Sequence, residues 1–320
     1  MTISRQFLNL KITAKRQVAD DIVALDLVSS DGKELPEFEA GSHIDLQLAE
    51  GISRSYSLYG SSTERHVYRI AVLREPDSRG GSRYIHDALN VGDRVNATPP
   101  RNNFSLHEAP HHVLFAGGIG VTPMLSMAWT LWERGESFHM HYCARSLTRM
   151  ALRDALTTGP FAKHVSLYLN DASPAEQLDI EAVLTNAPQG THFYTCGPGG
   201  FIEWIETKAS QCSIDPQYLH HEYFTAEVDT KGNEFEVFLA KSNITVKVHE
   251  NESIADALFK VGLDVPISCA QGVCGTCITP VLEGTPDHRD QYLMTSEKES
   301  NKMMTLCCSR ALSSRLVLDI

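Results

Sequence analysis

Short stretches in which apolar and polar residues alternate fill the first third of the chain. They occupy residues 22–29, 43–48, 54–58 and 67–73, within a segment running from Leu8 to about Val95. Alternation of period two marks a strand with one buried face, and turn residues at Asp31-Gly32 and Asn90-Val91-Gly92-Asp93 separate the runs. Many short strands punctuated in this way predict a small antiparallel β-barrel. The pattern then changes. His112-Val113-Leu114-Phe115-Ala116 opens a series of unbroken apolar runs continued at 138–143, 164–169 and 192–195, with a helix predicted at 149–157. Buried strands alternating with helices predict an α/β domain built on a parallel sheet. The stretch 225–233 is polar, holds a glycine and lacks apolar periodicity. Beyond it, strands are predicted at 235–239 and 244–248 around Lys241-Ser242-Asn243. A short helix at 253–261 follows, with Ile254, Ala257, Leu258 and Val261 on one side. That order is β-grasp-like, an α+β unit. The predicted organisation is therefore multidomain: barrel at 1–107, α/β domain at 108–225, linker at 226–233 and α+β domain at 234–320.

Composition adds limits. Of 320 residues, 42% are hydrophobic and 21% charged, enough for each domain to build a core. A net charge of −12 lacks the basic face of a nucleic-acid binder and suits a basic patch on a protein partner. The first residues carry no apolar signal region, and no 18-residue apolar run occurs, so a cytoplasmic protein without a membrane segment is expected. In that reducing compartment eight cysteines read as ligands or free thiols. Cys143, Cys212 and Cys308 are expected to be ordinary buried thiols.

Three of the cysteines crowd one loop. Cys269, Cys274 and Cys277 are spaced C-x4-C-x2-C, and Cys307 follows after 29 intervening residues. This is the plant-type spacing for a [2Fe-2S] cluster, in which thiolates neutralise the irons and a tight loop turns backbone N–H groups toward sulfur. Gly272 and Gly275 permit the bending. The rival is a structural four-cysteine zinc site, although zinc modules usually use two separated cysteine pairs. Cys308 competes with Cys307 for the fourth position.

Further candidates lie upstream. In Arg54-Ser55-Tyr56-Ser57 a strand turns Arg54 and Tyr56 to one face and Ser57 to the other. A guanidinium binds phosphate, an aromatic ring stacks on a flavin, and a hydroxyl reaches flavin N5; the plain alternative is a solvent-facing strand. Arg79-Gly80-Gly81-Ser82 leads into a short helix predicted at 84–89, with Ser82 as its cap, and can cradle a phosphate. Gly117-Gly118-Ile119-Gly120-Val121-Thr122-Pro123 joins a strand to a helix, the setting of a pyrophosphate site, with Thr122 as cap and Pro123 at the first position. Cys196-Gly197-Pro198 ends another strand at the carboxyl edge, where ligands bind to such sheets. Arg145-Ser146 follows the second strand, where the adenosine ribose is recognised.

These motifs resemble the ferredoxin-NADP reductase superfamily. Their order, ending in a ferredoxin-like domain, resembles the phthalate dioxygenase reductase and vanillate demethylase reductase subfamily over nearly the whole chain. The resemblance implies FMN, with Arg54, Tyr56 and Ser57 at the isoalloxazine or ribityl part and Gly80, Gly81 and Ser82 near the phosphate. No residue by itself excludes FAD. It implies that Gly117, Gly118, Gly120, Thr122, Pro123, Arg145, Cys196, Gly197 and Pro198 serve the nucleotide. NADH is favoured over NADPH, because NADH-specific relatives also carry Arg-Ser or Arg-Thr, though Arg145 would suit a 2′-phosphate. It places Cys196 by the nicotinamide and Phe224 near the flavin, making Ser57, Cys196 and Phe224 the catalytic candidates; a hydrophobic anchor is the other reading of Phe224. The Leu-Cys-x-Ser-Arg context favours Cys307 as ligand, and four cysteines leave no ligand role for His288. What it implies overall is an NADH-dependent reductase component serving a terminal oxygenase of Rieske type, because a flavin accepts two electrons together and a cluster takes one. The alternatives are a reductase for a haem-thiolate monooxygenase, a general diaphorase, or an iron–sulfur carrier or redox sensor without turnover.

Overall fold

The structure is a computed structural model that describes residues 7–48, 52–76, 80–170, 173, 176–225 and 228–320. Arg79 of the glycine turn and residues 226 and 227 of the expected linker lie outside the described residues. The chain divides into two compact units, Met1–Glu222 and Tyr223–Ile320.

The first unit opens with the barrel. Its strands are β1 (Leu8–Ala19), β2 (Ile22–Ser29), β3 (Ser42–Gln47), β4 (Ser53–Ser57), β5 (Tyr68–Leu73), β6 (Arg94–Ala97) and β7 (Arg101–Asn102), with helix α1 (Gly81–Asp87) between β5 and β6. They pair antiparallel in the order β4-β3-β6-β1-β2-β5, with β7 on β3. Tyr59 N–H, just after β4, donates to Arg69 O on β5 at 3.0 Å, drawing the end strands together. Alternation does its work here: Leu10 and Ile12, Leu25 and Leu27, Ile44 and Leu46, Ile70 and Val72 all point into one core.

The same unit continues into a five-stranded parallel sheet. Its strands are β8 (His112–Gly117), β9 (Phe138–Ala144), β10 (Val165–Leu169), β11 (His192–Cys196) and β12 (Leu219–Glu222), in the order β10-β9-β8-β11-β12. Helices α2 (Val121–Arg134), α3 (Arg153–Thr158), α4 (Ile180–Asn186) and α5 (Gly199–Gln211) connect them. On one face, Val113, Phe115 and Phe193 pack against Ile180 and Leu184 of α4 and Ile205 and Ala209 of α5. The strand order reverses at β8, so the crevice between the carboxyl ends of β8 and β11 is where such a sheet binds ligands. The helix expected at 149–157 begins only at Arg153. Leu147–Arg149 forms a 3-10 turn, and Leu152 takes a left-handed φ of 56° that delays the start.

The second unit holds β13 (Phe235–Leu239), β14 (Ile244–Val248), β15 (Ile278–Glu283), β16 (Pro286–Asp287), β17 (Met303–Thr305), β18 (Arg310–Ala311) and β19 (Arg315–Leu318). A mixed sheet runs β14-β13-β19-β15-β17, and β16 pairs with β18 apart from it. Helix α6 (Ile254–Lys260) is capped by the Ser253 hydroxyl, which accepts from Asp256 N–H at 3.1 Å. It buries Ile254, Ala257 and Leu258 as the periodicity requires, but it stops at Lys260, and Val261 beyond it is 54% exposed. Helix α7 (Thr295–Ser300) completes the unit. Among the described residues no helix is long and apolar enough to cross a membrane.

Candidate functional site

Strand β4 sets the first group of residues. Antiparallel pairing with β3 places Ser57 opposite His43, Tyr56 opposite Ile44 and Arg54 opposite Leu46. The side chain of Arg54 runs alongside the start of α1, so that a Cβ on Gly81 would lie 2.6 Å from Arg54 Cγ. A guanidinium and a helix start bare of side chains thus come together, a cradle that fits a phosphate. The helix starts earlier than its sequence suggests. Gly80, at φ 93°, is its N-cap, and Ser82 lies inside the first turn with its hydroxyl accepting from Glu75 N–H at 3.2 Å, so Ser82 is not the cap. Tyr56 leans on the barrel core, and burial pushes its phenol well above the usual range.

Turns at the carboxyl edge of the parallel sheet make the second group. A 3-10 turn, Gly118–Gly120, separates β8 from α2, so Gly120 caps the helix. Thr122 and Pro123 fall inside its first turn, not at the cap and first position; the Thr122 hydroxyl donates to Ile119 O at 3.1 Å. Gly120 has a steric reason to be glycine, since a Cβ there would lie 2.2 Å from Cys196 O and 2.7 Å from Gly197 N. The turns after β8 and β11 are therefore pressed together, backbone on backbone. Gly118 differs: nothing lies within 4 Å of its missing side chain, which leaves its φ of 54° and the open space above for a ligand. Pro198 precedes α5 as its N-cap, and Arg145, exposed, follows directly on β9.

One residue that sequence reasoning left without a role joins these groups. Glu222 ends β12 and lies in register with Cys196 on β11. The Ser57 hydroxyl donates to Glu222 Oε2 at 3.4 Å. Ser57 and Cys196, 139 positions apart in the chain, thus meet one carboxyl. Burial pushes that carboxyl up to about 8, against the opposing pull of the Ser57 hydrogen bond. Cys196 is fully buried, and its thiol is raised well above the usual range by burial and by Glu222. It is a neutral thiol that packs, not a thiolate nucleophile. No local motif marks Glu222, because its importance comes from a strand register that only the folded sheet creates. Phe224 is half-buried and belongs to the second unit.

In the second unit the four predicted thiols gather. Cys269 is in hydrogen-bonding contact with Cys274 and Cys307, and Cys277 with Cys307. The contacts run Cys274–Cys269–Cys307–Cys277. Among the described residues no three His, Cys, Asp or Glu side chains are arranged to hold one metal ion. Four thiols, three from one loop and one from a distant segment, are the donor set of a plant-type [2Fe-2S] cluster. Gln271 N–H donates to Cys269 Sγ at 3.3 Å, and contacts with Cys274, Cys307 and the Val273 and Gln271 amides hold the Cys269 thiol well below the usual range. Gly275, at φ 68°, lies under the Tyr292 ring, where a Cβ would come within 2.4 Å of it. Cys308 touches Cys307 as well; its sulfur is 3.2 Å from Thr305 Oγ1 and abuts Gly272. His288 has both ring nitrogens buried without a hydrogen-bond partner. Cys143 and Cys212, expected to be buried, are only half-buried.

A flavin-type barrel fused to a nucleotide sheet, with a three-thiol loop met by a fourth thiol in a β-grasp unit, defines an oxidoreductase. The comparisons narrow the class. Residues 237–312 match the 2Fe-2S iron-sulfur cluster binding domain family, and 93–219 match the N-terminal domain of the dimethylamine monooxygenase subunit DmmA-like family. The vanillate O-demethylase oxidoreductase of Pseudomonas sp. (strain HR199 / DSM 7063) is 43% identical over 312 residues, 97% of this chain and 98% of that protein. Phthalate dioxygenase reductase, described as a modular structure for electron transfer from pyridine nucleotides to [2Fe-2S], matches with a TM-score of 0.75 and 36% identity over 98% of both chains. A type IV self-sufficient cytochrome P450 monooxygenase matches with a TM-score of 0.87 and 34% identity, over 98% of this chain and 41% of that longer one. The chain belongs to the family of vanillate O-demethylase oxidoreductases and phthalate dioxygenase reductase, the reductase components of oxygenase systems.

Proposed function

We propose that this protein takes electrons from NADH and delivers them, through FMN and a [2Fe-2S] cluster, to the terminal oxygenase component of a Rieske-type oxygenase or demethylase in the cytoplasm. The observation that carries the reading is the meeting of Ser57, from the barrel, and Cys196, from the nucleotide sheet, at the Glu222 carboxyl. The flavin, when bound, accepts two electrons as hydride and releases them one at a time.

The chain's own residues hold and orient. Residues 1–107 form the flavin part, with Tyr56 and Ser57 at the ring system and Arg54, Gly80, Gly81 and Ser82 at the phosphate. Residues 108–225 form the NAD part, where Gly117, Gly118, Gly120, Thr122 and Pro123 bind the pyrophosphate and Arg145 the ribose. Cys196, Gly197 and Pro198 bound the nicotinamide pocket on its sheet side, and Phe224 belongs at the flavin. With its carboxyl raised to about 8, Glu222 keeps a proton at neutral pH and so adds no anion beside the ring that receives hydride. Residues 226–233 connect to the cluster domain at 234–320, where Cys269, Cys274, Cys277 and Cys307 are the iron ligands.

The reading is tested by steady-state reduction of cytochrome c with NADH by the FMN- and iron-loaded protein. Rapid turnover with NADH, and slow turnover with NADPH, is expected. No turnover with either leaves a carrier or sensor and removes the reductase. The similarity to a self-sufficient cytochrome P450 supports a second reading, a haem-thiolate monooxygenase as acceptor. Turnover with purified oxygenases of the two types distinguishes them.

A further inference from the structure

Two arginines of the second unit hold the chain segment that leads into it. Arg310 opens β18, three residues past Cys307, and its side chain is almost fully buried at 1% exposure. Carbonyl oxygens satisfy it: it donates to Asn233 O at 2.8 Å, to His249 O at 3.2 Å and to Glu252 O, and its guanidinium lies 5.1 Å from the centre of the Phe235 ring. Arg289 follows β16, the strand that pairs with β18. It donates to Asp229 O at 2.6 Å and Lys231 O at 2.7 Å, while Asp287 Oδ2 accepts from its Nε and Nη2. Gly232 passes so close over Arg310 that a Cβ would lie 3.1 Å from Nε. Val228 packs on the domain core, and the Thr230 hydroxyl donates to Asn251 O at 3.1 Å.

A polar, glycine-containing stretch would ordinarily be a flexible spacer. From Val228 to Asn233 it is instead a strap. A planar guanidinium presents several fixed donors, which lets one side chain hold carbonyls of a segment that has no ladder of its own.

We propose that Arg289 and Arg310 are positioning residues that clamp this strap, shortening the tether between the nucleotide-binding unit and the cluster so that one electron at a time passes efficiently from flavin to cluster. The proposal rests on the function proposed above. Counted along the sequence, Glu222 to Val228 spans at most about 20 Å of extended chain and Glu222 to Phe235 about 45 Å. Effective concentration falls roughly as the −3/2 power of tether length, so full release slows flavin-to-cluster transfer about threefold or more.

The test uses the holoprotein and its Arg289→Ala, Arg289→Lys and Arg289→Ala/Arg310→Lys variants, mixed rapidly with NADH without oxygen. Flavin bleaching is expected to keep the wild-type rate, while cluster reduction slows about threefold in the double variant and less in Arg289→Ala, with Arg289→Lys nearer wild type. The potential and EPR signature of the cluster are expected to be unchanged, and amides 229–233 to exchange faster. Wild-type cluster reduction despite faster exchange overturns the proposal, as does a changed EPR signature, which would make the arginines supports of the cluster itself. If NADH fails to bleach the wild-type flavin, the underlying reading falls, and the exchange of amides 229–233 still decides whether the clamp exists.

Discussion

The crevice of the first unit and the cysteine loop of the second both depend on glycine, but for different neighbours. At Gly120 the missing Cβ would strike backbone, Cys196 O at 2.2 Å and Gly197 N at 2.7 Å. At Gly275, at φ 68°, it would strike a side chain, the Tyr292 ring at 2.4 Å, whereas at Gly272, at φ 72°, it would meet Cys308 Sγ at 2.4 Å and the Asp290 backbone at 3.0 Å. Side chains can move aside and a sheet backbone cannot, so the crevice is the more rigid site. Its residues arrive from β4, β8, β11 and β12, whereas three of the four loop thiols arrive within nine residues. One site is assembled by topology, the other by a local turn.

The sharpest contrast is chemical. Cys307→Ala should abolish the EPR signal of the reduced cluster while leaving flavin bleaching by NADH intact, because the crevice is built without the loop. Cys308→Ala should keep the signal, since Cys307 is the thiol that meets both Cys269 and Cys277. Loss of the signal from Cys308→Ala alone would reverse the ligand assignment.

The glycines rank next. Gly120→Ala should destabilise the first unit by about 3 kcal/mol, since an added methyl has no compliant neighbour. Gly275→Ala should cost less, about 1–2 kcal/mol for the left-handed backbone, with Tyr292 yielding. Chemical denaturation of both variants checks the order; equal losses would erase the distinction between backbone and side-chain neighbours.

A smaller effect is expected inside the crevice. Ser57→Ala should slow flavin bleaching by NADH about tenfold, the worth of one hydrogen bond, with the EPR signal of the chemically reduced cluster unchanged. Rapid mixing at saturating NADH measures it.

pH should separate two buried groups of the first unit by the sign of their effect. Glu222 holds its proton up to about 8, against 4.5 for the free carboxyl, so its contribution to stability is full below 4.5 and lost as pH rises through about 8. His220 is opposite in sign. Burial, with the neighbouring His107, His192, His221 and His112, depresses it to about 3, and its Nε2 lies 2.8 Å from His192 Nδ1, where only one proton fits. Stability should therefore fall as pH drops from about 6.5 toward 3. Glu222→Gln should flatten the alkaline limb and His220→Phe the acid limb of a stability–pH profile.

Much of this architecture is legible in the chain. Strand β2 at 22–29 and the pair β13 and β14 occur where alternation puts them, and within the C-x4-C-x2-C loop Cys269 and Cys274 come into contact. What local patterns miss has physical causes. Ser82 and Thr122 look like helix caps, yet both helices are capped two residues earlier, by Gly80 at φ 93° and by Gly120, where no side chain fits against Cys196 O. Glu222 has no motif, since its place beside Cys196 is set by strand pairing across the sheet. The stretch 228–233 looks like a linker by composition, and two arginines distant in sequence make it a strap.

The proposed relay carries electrons from NADH to an iron–sulfur cluster within one chain. An anaerobic NADH titration of the purified protein, followed by visible absorption and low-temperature EPR, tests it most directly. The account predicts bleaching of the flavin band together with the rhombic signal of a reduced [2Fe-2S] cluster. Flavin bleaching in a protein that contains zinc and stays EPR-silent would contradict it.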